Sequence, residues 1–402
     1  MLKSVCRLHH TRFPPAIARF PQRSKPGLHT SRQTTIRISN MATTTLLKKW
    51  FPHTEAPVII SAPMLGAATG ALAAQVTNAG GLGMIPGGYD VTPGSTQLAE
   101  LDAELSTARQ ILGLQDAEGP LPVGIGFICC HEIVDAHFGG RGVADLVARH
   151  RPAAVWLFAP EPDAGYEKLV RAVREAAAAT AASYEVKVFA QVGTVADARR
   201  AVSAGVDVVV AQGVDAGGHQ FAVGSGIVGL VPEVRDMVDE EFPGRDVAVV
   251  AAGGIADGRG VAAALALGAE GAVMGTRFLV ADEAKTVDWQ RKIVLETRDG
   301  GLNTNKSVFH DQLRGTDSLW PPFYDGRAIV TDSYRDHRVG VSLEENKKRF
   351  KQAKEAGDDA SRGVVWSGSA VGLVRKSGPA GDIVKQTRDE AKKRIRAAQS
   401  FA

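Results

Sequence analysis

Eight short apolar segments alternate with helix-like segments between residues 58 and 275, and this alternation constrains the fold most strongly. Most of the eight are continuous apolar runs, as expected for parallel strands that are covered on both faces. The predicted strands cover residues 58–61, 81–85, 122–128, 153–158, 186–190, 206–210, 247–251 and 271–275. Eight strand–helix repeats are typical of a closed (β/α)8 TIM barrel, and a doubly wound open sheet is the alternative.

The segments between these strands carry helix signals. Residues 69–79 are followed by Gly80-Gly81, and residues 258–267 lie between Asp257 and Gly268. Aspartate before a helix and glycine after it are common boundary residues. We therefore predict helices over 69–79, 164–182, 195–204 and 258–267, and two more near the C-terminus over 343–356 and 384–397.

The character of the sequence changes after Ala281, where charged and irregular segments replace the regular alternation. We predict an α/β fold in which residues 55–281 form the barrel and an appended, mostly helical C-terminal subdomain follows. In this division residues 282–365 are an inserted lid or cap. Residues 366–402 are a return segment that ends in a basic helix.

Residues 1–54 are predicted to be a disordered leader. Residues 1–40 contain eight basic residues and no acidic residue, which is typical of a mitochondrial transit peptide. Met41 could instead be the true start of a cytoplasmic protein. The sequence thus leaves a mitochondrial and a cytoplasmic location open.

The charge of the remaining chain argues against nucleic acid as a partner. Of the 47 basic residues eight lie in the leader, so 39 basic and 44 acidic residues remain and give a net charge of −5. Residues 56–89 are uncharged, but seven glycines and three prolines favour a buried strand–helix–strand unit over a membrane span. The three cysteines, Cys6, Cys129 and Cys130, exclude a disulfide scaffold.

Two glycine turns at the ends of consecutive strands predict a phosphate site. Gly253-Gly254 follows the seventh predicted strand and Gly275-Thr276 ends the eighth. Backbone N–H groups at such turns bind phosphate, and TIM barrels often place a phosphate site after strands seven and eight. Because the chain has neither a Walker-type lysine loop nor a G-x-G-x-x-G motif, a single phosphate on a flat cofactor, FMN, fits best.

His219 is the predicted catalytic residue, since it follows the sixth strand through the glycine-rich turn Gly213–Gly218. Its ordinary pKa suits proton abstraction near neutral pH, although a structural histidine is the alternative. His131 and His137 follow Cys129-Cys130, but their spacing does not match a zinc site, so we predict no metal. A G-x-S-x-G motif is absent from the sequence, which argues against a hydrolase.

Three motifs, in residues 62–83, 211–219 and 251–278, together resemble the nitronate monooxygenases, formerly called 2-nitropropane dioxygenases. The resemblance implies an FMN-dependent barrel that oxidises alkyl nitronates with dioxygen to a carbonyl compound and nitrite. It also implies that His219 is the base that deprotonates neutral nitroalkanes. One departure is Trp366-Ser367-Gly368-Ser369, because many relatives carry glutamine in this segment.

The resemblance also assigns the cofactor-binding residues. The backbone of Ala62, Pro63 and Met64 and the side chain of Gln191 would face the flavin. The ribityl phosphate would be held by the residues of the glycine-rich turns, namely Gly213, Gly217, Gly218, Gly253, Gly254, Gly275 and Thr276. The implied partners are a nitronate or nitroalkane and dioxygen, with a homodimer as a further expectation.

Three other functions fit the same residues. The same FMN barrel also serves NAD(P)H-dependent reductases of enoyl thioesters or quinones. A barrel without redox chemistry could use the phosphate site for a phosphorylated metabolite, with His219 as an isomerase base. A ligand-binding protein without turnover is the third alternative.

Overall fold

The structure is a computed structural model that describes residues 45–115, 119–161, 165–180 and 184–401. The described residues form one compact unit. The predicted transit peptide, residues 1–40, lies outside the described residues. It therefore stays a prediction.

Eight parallel strands form a closed barrel. The described residues form eleven strands in all, which in chain order are Val58–Ser61 (β1), Met84–Gly88 (β2), Leu121–Ile128 (β3), Pro152–Phe158 (β4), Lys187–Val192 (β5), Val208–Gln212 (β6), Gly218–Phe221 (β7), Ala248–Ala252 (β8), Gly271–Met274 (β9), Thr304–Ser307 (β10) and Tyr324–Ile329 (β11). The barrel order is β1-β9-β8-β6-β5-β4-β3-β2. The Ser61 amide donates to the Leu82 carbonyl oxygen at 3.2 Å and the Leu82 amide donates to that of Ile59 at 2.9 Å. These bonds join β1 to Leu82, which lies two positions before β2, and β1 and β2 are the two ends of the strand order. The sheet therefore closes, so the TIM-barrel prediction is confirmed and the open sheet is not observed.

Helices follow most of the barrel strands. They are Leu46–Trp50 (α1), Gly70–Asn78 (α2), Thr96–Ile111 (α3), Glu132–His137 (α4), Arg141–His150 (α5), Gly165–Ala178 (α6), Val195–Ser203 (α7), Ile227–Glu241 (α8), Gly258–Ala266 (α9), Asp288–Glu296 (α10), Gly300–Asn303 (α11), Phe309–Arg314 (α12), Asp332–Arg338 (α13), Leu343–Glu355 (α14), Asp359–Arg362 (α15) and Ala380–Ala398 (α16). The predicted start of α9 is confirmed, because the Asp257 carboxylate accepts from the Arg259 amide at 2.9 Å. Within the described ranges, no helix combines the length and the apolar character that crossing a membrane requires.

The barrel strands are mostly apolar because both of their faces are buried. Ile60, Trp156 and Phe189 belong to a cluster that fills the barrel interior. The neighbouring Ile59 and Leu157 point the other way and belong to the cluster that includes the surrounding helices. Two separate cores therefore lie on opposite faces of one sheet, which explains why the strands do not alternate between apolar and polar residues.

The last part of the predicted leader belongs to the barrel. α1 starts after Thr45, and the Leu46 amide donates to the Glu270 carboxylate at 2.7 Å, beside the amino end of β9. Leu47 and Phe51 are fully buried in the interior cluster. The boundary predicted at residue 54 thus differs from the structure, since these apolar side chains close one end of the barrel core.

A second sheet, which the sequence analysis did not predict, holds the candidate base. β7, β11 and β10 form an antiparallel sheet in which His219 pairs with Gly326 and Ser307 also pairs with Gly326. His219 therefore lies in a strand and not in a turn. Both partner strands come from residues 282–365, so this segment is partly β-structure, and its function as a lid or cap stays a prediction.

We expect Phe51→Ala to lower the free energy of unfolding by about 3–5 kcal/mol, because it removes a buried ring from the barrel interior. Thermal unfolding followed by circular dichroism measures the change. Phe401→Ala is the matched control, since Phe401 is 92% exposed. Equal melting temperatures for the two variants would show that the Phe51 ring does not contribute to the core.

Candidate active site

The segments that follow β1 and β9 meet at the carboxyl ends of the barrel strands. The Ala62 amide donates to the Met274 carbonyl oxygen at 3.0 Å. A Cβ atom at Gly275 would lie 3.6 Å from Met64 Sδ and 3.7 Å from Ala62 Cβ. Three of the predicted cofactor-binding residues, Ala62, Met64 and Gly275, are therefore neighbours. Pro63 packs on Gly126 of β3.

The turn after β8 packs directly on the segment after β6. Gly253 has φ +98°, and a Cβ atom there would lie 2.6 Å from the Gly213 carbonyl oxygen. Gly254 has φ +72°, and its Cβ would lie 2.9 Å from Asp215 Cβ. Only glycine fits both the backbone conformation and the space. The absence of side chains at Gly253 and Gly254 thus brings the two segments together.

The return segment joins this cluster to Thr276. The Gly368 amide donates to Thr276 Oγ1 at 3.0 Å, and a Cβ at Gly217 would lie 2.4 Å from the Gly368 nitrogen. Ser369 Oγ donates to Asp215 at 2.7 Å. The predicted residues Gly213, Gly217, Gly253, Gly254 and Thr276 therefore form one continuous cluster, held from outside by residues 367–369.

This cluster presents hydrogen-bond donors that the protein does not use. Within the described chain, the amides of Gly254, Gly275 and Thr276 donate to no backbone or side-chain acceptor. Both turns leave the same edge of the barrel, because Ala252 pairs with Val273 on the adjacent strand. Unpaired amides at neighbouring turns suit an anion.

Arg277 follows these turns directly. Its Nη1 is buried without a hydrogen-bond partner among the described residues, and burial lowers the pKa of the guanidinium. A half-buried cation that lacks a carboxylate partner is costly unless it meets an anion. The donor set at the ends of β8 and β9 therefore fits a phosphate group.

Gln191 lies at the carboxyl end of β5 and is 8% exposed. Its Oε1 accepts a hydrogen bond from Trp156 Nε1 at 3.1 Å, and the Trp156 ring stacks on Phe189. Because an indole N–H can only donate, this bond fixes the orientation of the amide. Gln191 Nε2 is consequently the atom that can donate to a ligand.

His219 lies between two indole rings. Trp320 stacks on the imidazole with a centroid distance of 3.7 Å and an interplanar angle of 12°. Trp366 lies on another side at 4.7 Å and 53°. A Cβ at Gly326 would lie 2.3 Å from Trp366 Cζ3, so glycine at this position allows Trp366 to cross the strand beside His219. The surroundings of the imidazole are therefore largely aromatic.

The imidazole also contacts a carboxylate. His219 Nε2 lies 2.9 and 3.0 Å from the two carboxylate oxygens of Asp311 in α12. Asp311 is 3% exposed, and Thr316 Oγ1 donates to it at 3.0 Å. Sequence reasoning missed Asp311 and did not place Trp320 in the site. The partners in this contact are 92 positions apart, so no local pattern signals it.

The cysteines and histidines after β3 have structural contacts. His131 Nδ1 accepts from the Ile133 amide at 3.3 Å and caps α4. Cys129 and Cys130 are both free thiols, and burial raises the pKa of Cys130 to about 11. In the part of the chain that the structure describes, no group of three or more His, Cys, Asp or Glu side chains could hold a metal ion.

Comparisons with known proteins identify the family to which this chain belongs. The family model described as nitronate monooxygenase matches residues 170–390. A nitronate monooxygenase of Neurospora crassa is 54% identical over 372 residues, which cover 90% of this chain and 97% of the relative. The nitronate monooxygenase npaC of Metarhizium robertsii is 37% identical and covers 86% and 94%. The structure of FabK from Thermotoga maritima matches with a TM-score of 0.66 and 25% identity, covering 89% of this chain and 99% of FabK. The chain is thus an oxidoreductase that belongs to the nitronate monooxygenase family.

Proposed function

We propose that this enzyme oxidises alkyl nitronates with dioxygen to a carbonyl compound and nitrite, with FMN as cofactor and His219 as the base for neutral nitroalkanes. One observation carries the proposal: the predicted base and the two glycine turns are connected at one rim, which is formed by the segments that follow the carboxyl ends of the barrel strands. Gly217 contacts the Gly368 amide that binds Thr276, and His219 follows Gly217 by two positions. An anion at the turns and a substrate at His219 would therefore be neighbours.

The residues present fit FMN. The amides of Gly254, Gly275 and Thr276 would hold its phosphate, with Arg277 supplying positive charge nearby. The backbone of residues 62–64 and Gln191 Nε2 would face the ring system. When bound, FMN supplies the redox chemistry, since it takes electrons from the nitronate and passes them to dioxygen.

The protein positions the substrate and moves one proton. A neutral nitroalkane must first lose its α-proton, and His219 is the group on this rim that can accept it. The flat faces of Trp320 and Trp366 limit the access of water to the imidazole and restrict its orientation. A nitronate arrives already deprotonated, so it does not need this step.

The remaining expectations from the sequence stay proposals. A small-molecule nitronate or nitroalkane is the proposed substrate, and a homodimer is the proposed assembly. The proposed location is mitochondrial if the basic segment 1–40 is a transit peptide, or cytoplasmic if Met41 is the start.

We expect Gly275→Asp to weaken FMN binding about 100-fold or more, because a carboxylate beside the phosphate repels it. The fold tolerates a Cβ at this position, since the nearest atoms would be 3.6 Å away. Quenching of FMN fluorescence measures the affinity. Gly119→Asp is the control, because that glycine is exposed and no atom lies within 4 Å of its Cβ position. Equal affinities in the two variants would remove the phosphate assignment.

We expect His219→Asn to lower kcat/KM for a neutral nitroalkane by about 10²–10⁴-fold, because the base is lost. Turnover of the matching nitronate should change by less than about tenfold, since it needs no deprotonation. Oxygen consumption with nitroethane and with ethylnitronate measures both. His137→Asn, at the end of α4, serves as the control. Equal losses on the two substrates would contradict the assignment of the base.

Anaerobic flavin reduction separates the proposal from the reductase alternative. We expect ethylnitronate to bleach the visible absorbance of the FMN-loaded enzyme, whereas NADH and NADPH should not do so at a comparable rate. Stopped-flow absorbance in one buffer compares all three. Rapid bleaching by a nicotinamide cofactor without any by the nitronate would identify the enzyme as a reductase.

A further inference from the structure

We infer that Asp311 is a positioning residue that selects the orientation and tautomer of His219 and leaves Nδ1 as the proton-accepting atom. The inference rests on the proposed function of His219 as a base. It assigns a role to the 282–365 segment, which would complete the active site and not only cover it. The juxtaposition of Asp311, His219 and Trp320 carries it.

The hydrogen-bonding rules fix where the proton lies. His219 Nε2 is within 3.0 Å of both oxygens of Asp311. An ionised carboxylate only accepts hydrogen bonds, so Nε2 must carry the hydrogen in this contact. A neutral imidazole has one N–H, and Nδ1 therefore holds the lone pair that can take a proton.

Stacking alone cannot select this arrangement. Trp320 fixes the plane of the imidazole at 3.7 Å, but a half-turn of the ring about its Cβ–Cγ bond keeps the same plane. That half-turn would place Cε1 where Nε2 now lies and would replace the charge-assisted bond to Asp311 with a weak C–H contact. Asp311 is thus the contact that distinguishes the two ring orientations.

Asp311 itself is held firmly by its surroundings. α12 begins where Ser307 Oγ of β10 accepts from the Phe309 amide at 3.1 Å. Thr316 donates through its hydroxyl to the Asp311 carboxylate and through its amide to the Asp311 carbonyl oxygen, both at 3.0 Å. β10 pairs with β11 and β11 with β7, so the helix that carries the carboxylate directly follows a strand of the sheet that carries the imidazole.

Burial makes this pair mutually dependent. A carboxylate that is 3% exposed needs donors, and those it has among the described side chains are His219 Nε2 and the Thr316 hydroxyl. When Nδ1 accepts the substrate proton, the same carboxylate lies against the imidazolium that forms. Asp311 would therefore stabilise the ring both before and after the proton transfer.

The first test is Asp311→Asn in the FMN-loaded enzyme. The asparagine amide can donate to Nε2 and so favours the tautomer with hydrogen on Nδ1, where it cannot accept the substrate proton. We expect kcat for nitroethane to fall about 10²–10⁴-fold, as for loss of an orienting carboxylate in other enzymes, with KM little changed. Ethylnitronate turnover and FMN affinity should stay at the level of Asp317→Asn, the control at an exposed residue six positions after Asp311.

The second measurement reads the tautomer directly and does not depend on activity. Nitrogen chemical shifts of 15N-histidine-labelled enzyme, with the His219 signals assigned by their loss in His219→Asn, should show an Nε2–H tautomer. Asp311→Asn should convert it to Nδ1–H. Should Asp311→Asn fail to fold, Thr316→Val removes one hydrogen bond to the carboxylate and should lower nitroethane turnover up to about tenfold.

The outcomes separate the inference from the proposed function. Asp311→Asn that keeps both the Nε2–H tautomer and nitroethane turnover would overturn the inference, even if His219→Asn is inactive toward nitroethane. If Asp311→Asn does not fold, a folded Thr316→Val with unchanged nitroethane turnover would overturn the inference in the same way. Full activity of His219→Asn would instead overturn the proposed base, while the nitrogen shifts would still report whether Asp311 sets the tautomer.

Discussion

The carboxyl-terminal rim of the barrel depends on a close backbone contact that glycine alone permits. With side chains at Gly253 and Gly254, the turn after β8 would collide with Gly213 and Asp215 in the segment after β6. Their absence lets the two segments pack and leaves amides of the β8 and β9 turns without acceptors in the described chain. The same contact fixes the path of residues 213–218 and so the start of the strand that carries His219.

The rest of the site is assembled around this rim from distant parts of the chain. The return segment ties Thr276 and Asp215 together through Gly368 and Ser369. The 282–365 segment contributes two strands of the small sheet, together with Asp311 and Trp320 beside the imidazole. The barrel thus supplies the proposed phosphate site and the appended segment supplies the surroundings of the proposed base.

The sequence predicts those features that depend on local patterns. The eight strands were predictable because burial on both faces leaves continuous apolar runs, and the helix before Gly268 because its capping residues are adjacent to it. β7 was not predictable, since Gly218–Phe221 is short and its partner Tyr324–Ile329 lies about a hundred residues away. Asp311 was not predictable for the same reason, because its partner His219 is 92 positions away. α1 was missed because residues 1–54 were all assigned to the basic leader. The glycine turns were predicted, but not the unpaired state of their amides, which depends on tertiary packing.

The central claim is that the rim binds one FMN per chain next to His219. The most direct measurement is the visible absorption spectrum of the purified enzyme, combined with mass spectrometry of the compound that heat releases from it. The account predicts a yellow protein that releases FMN in a one-to-one ratio. A colourless protein that also fails to take up added FMN would contradict it.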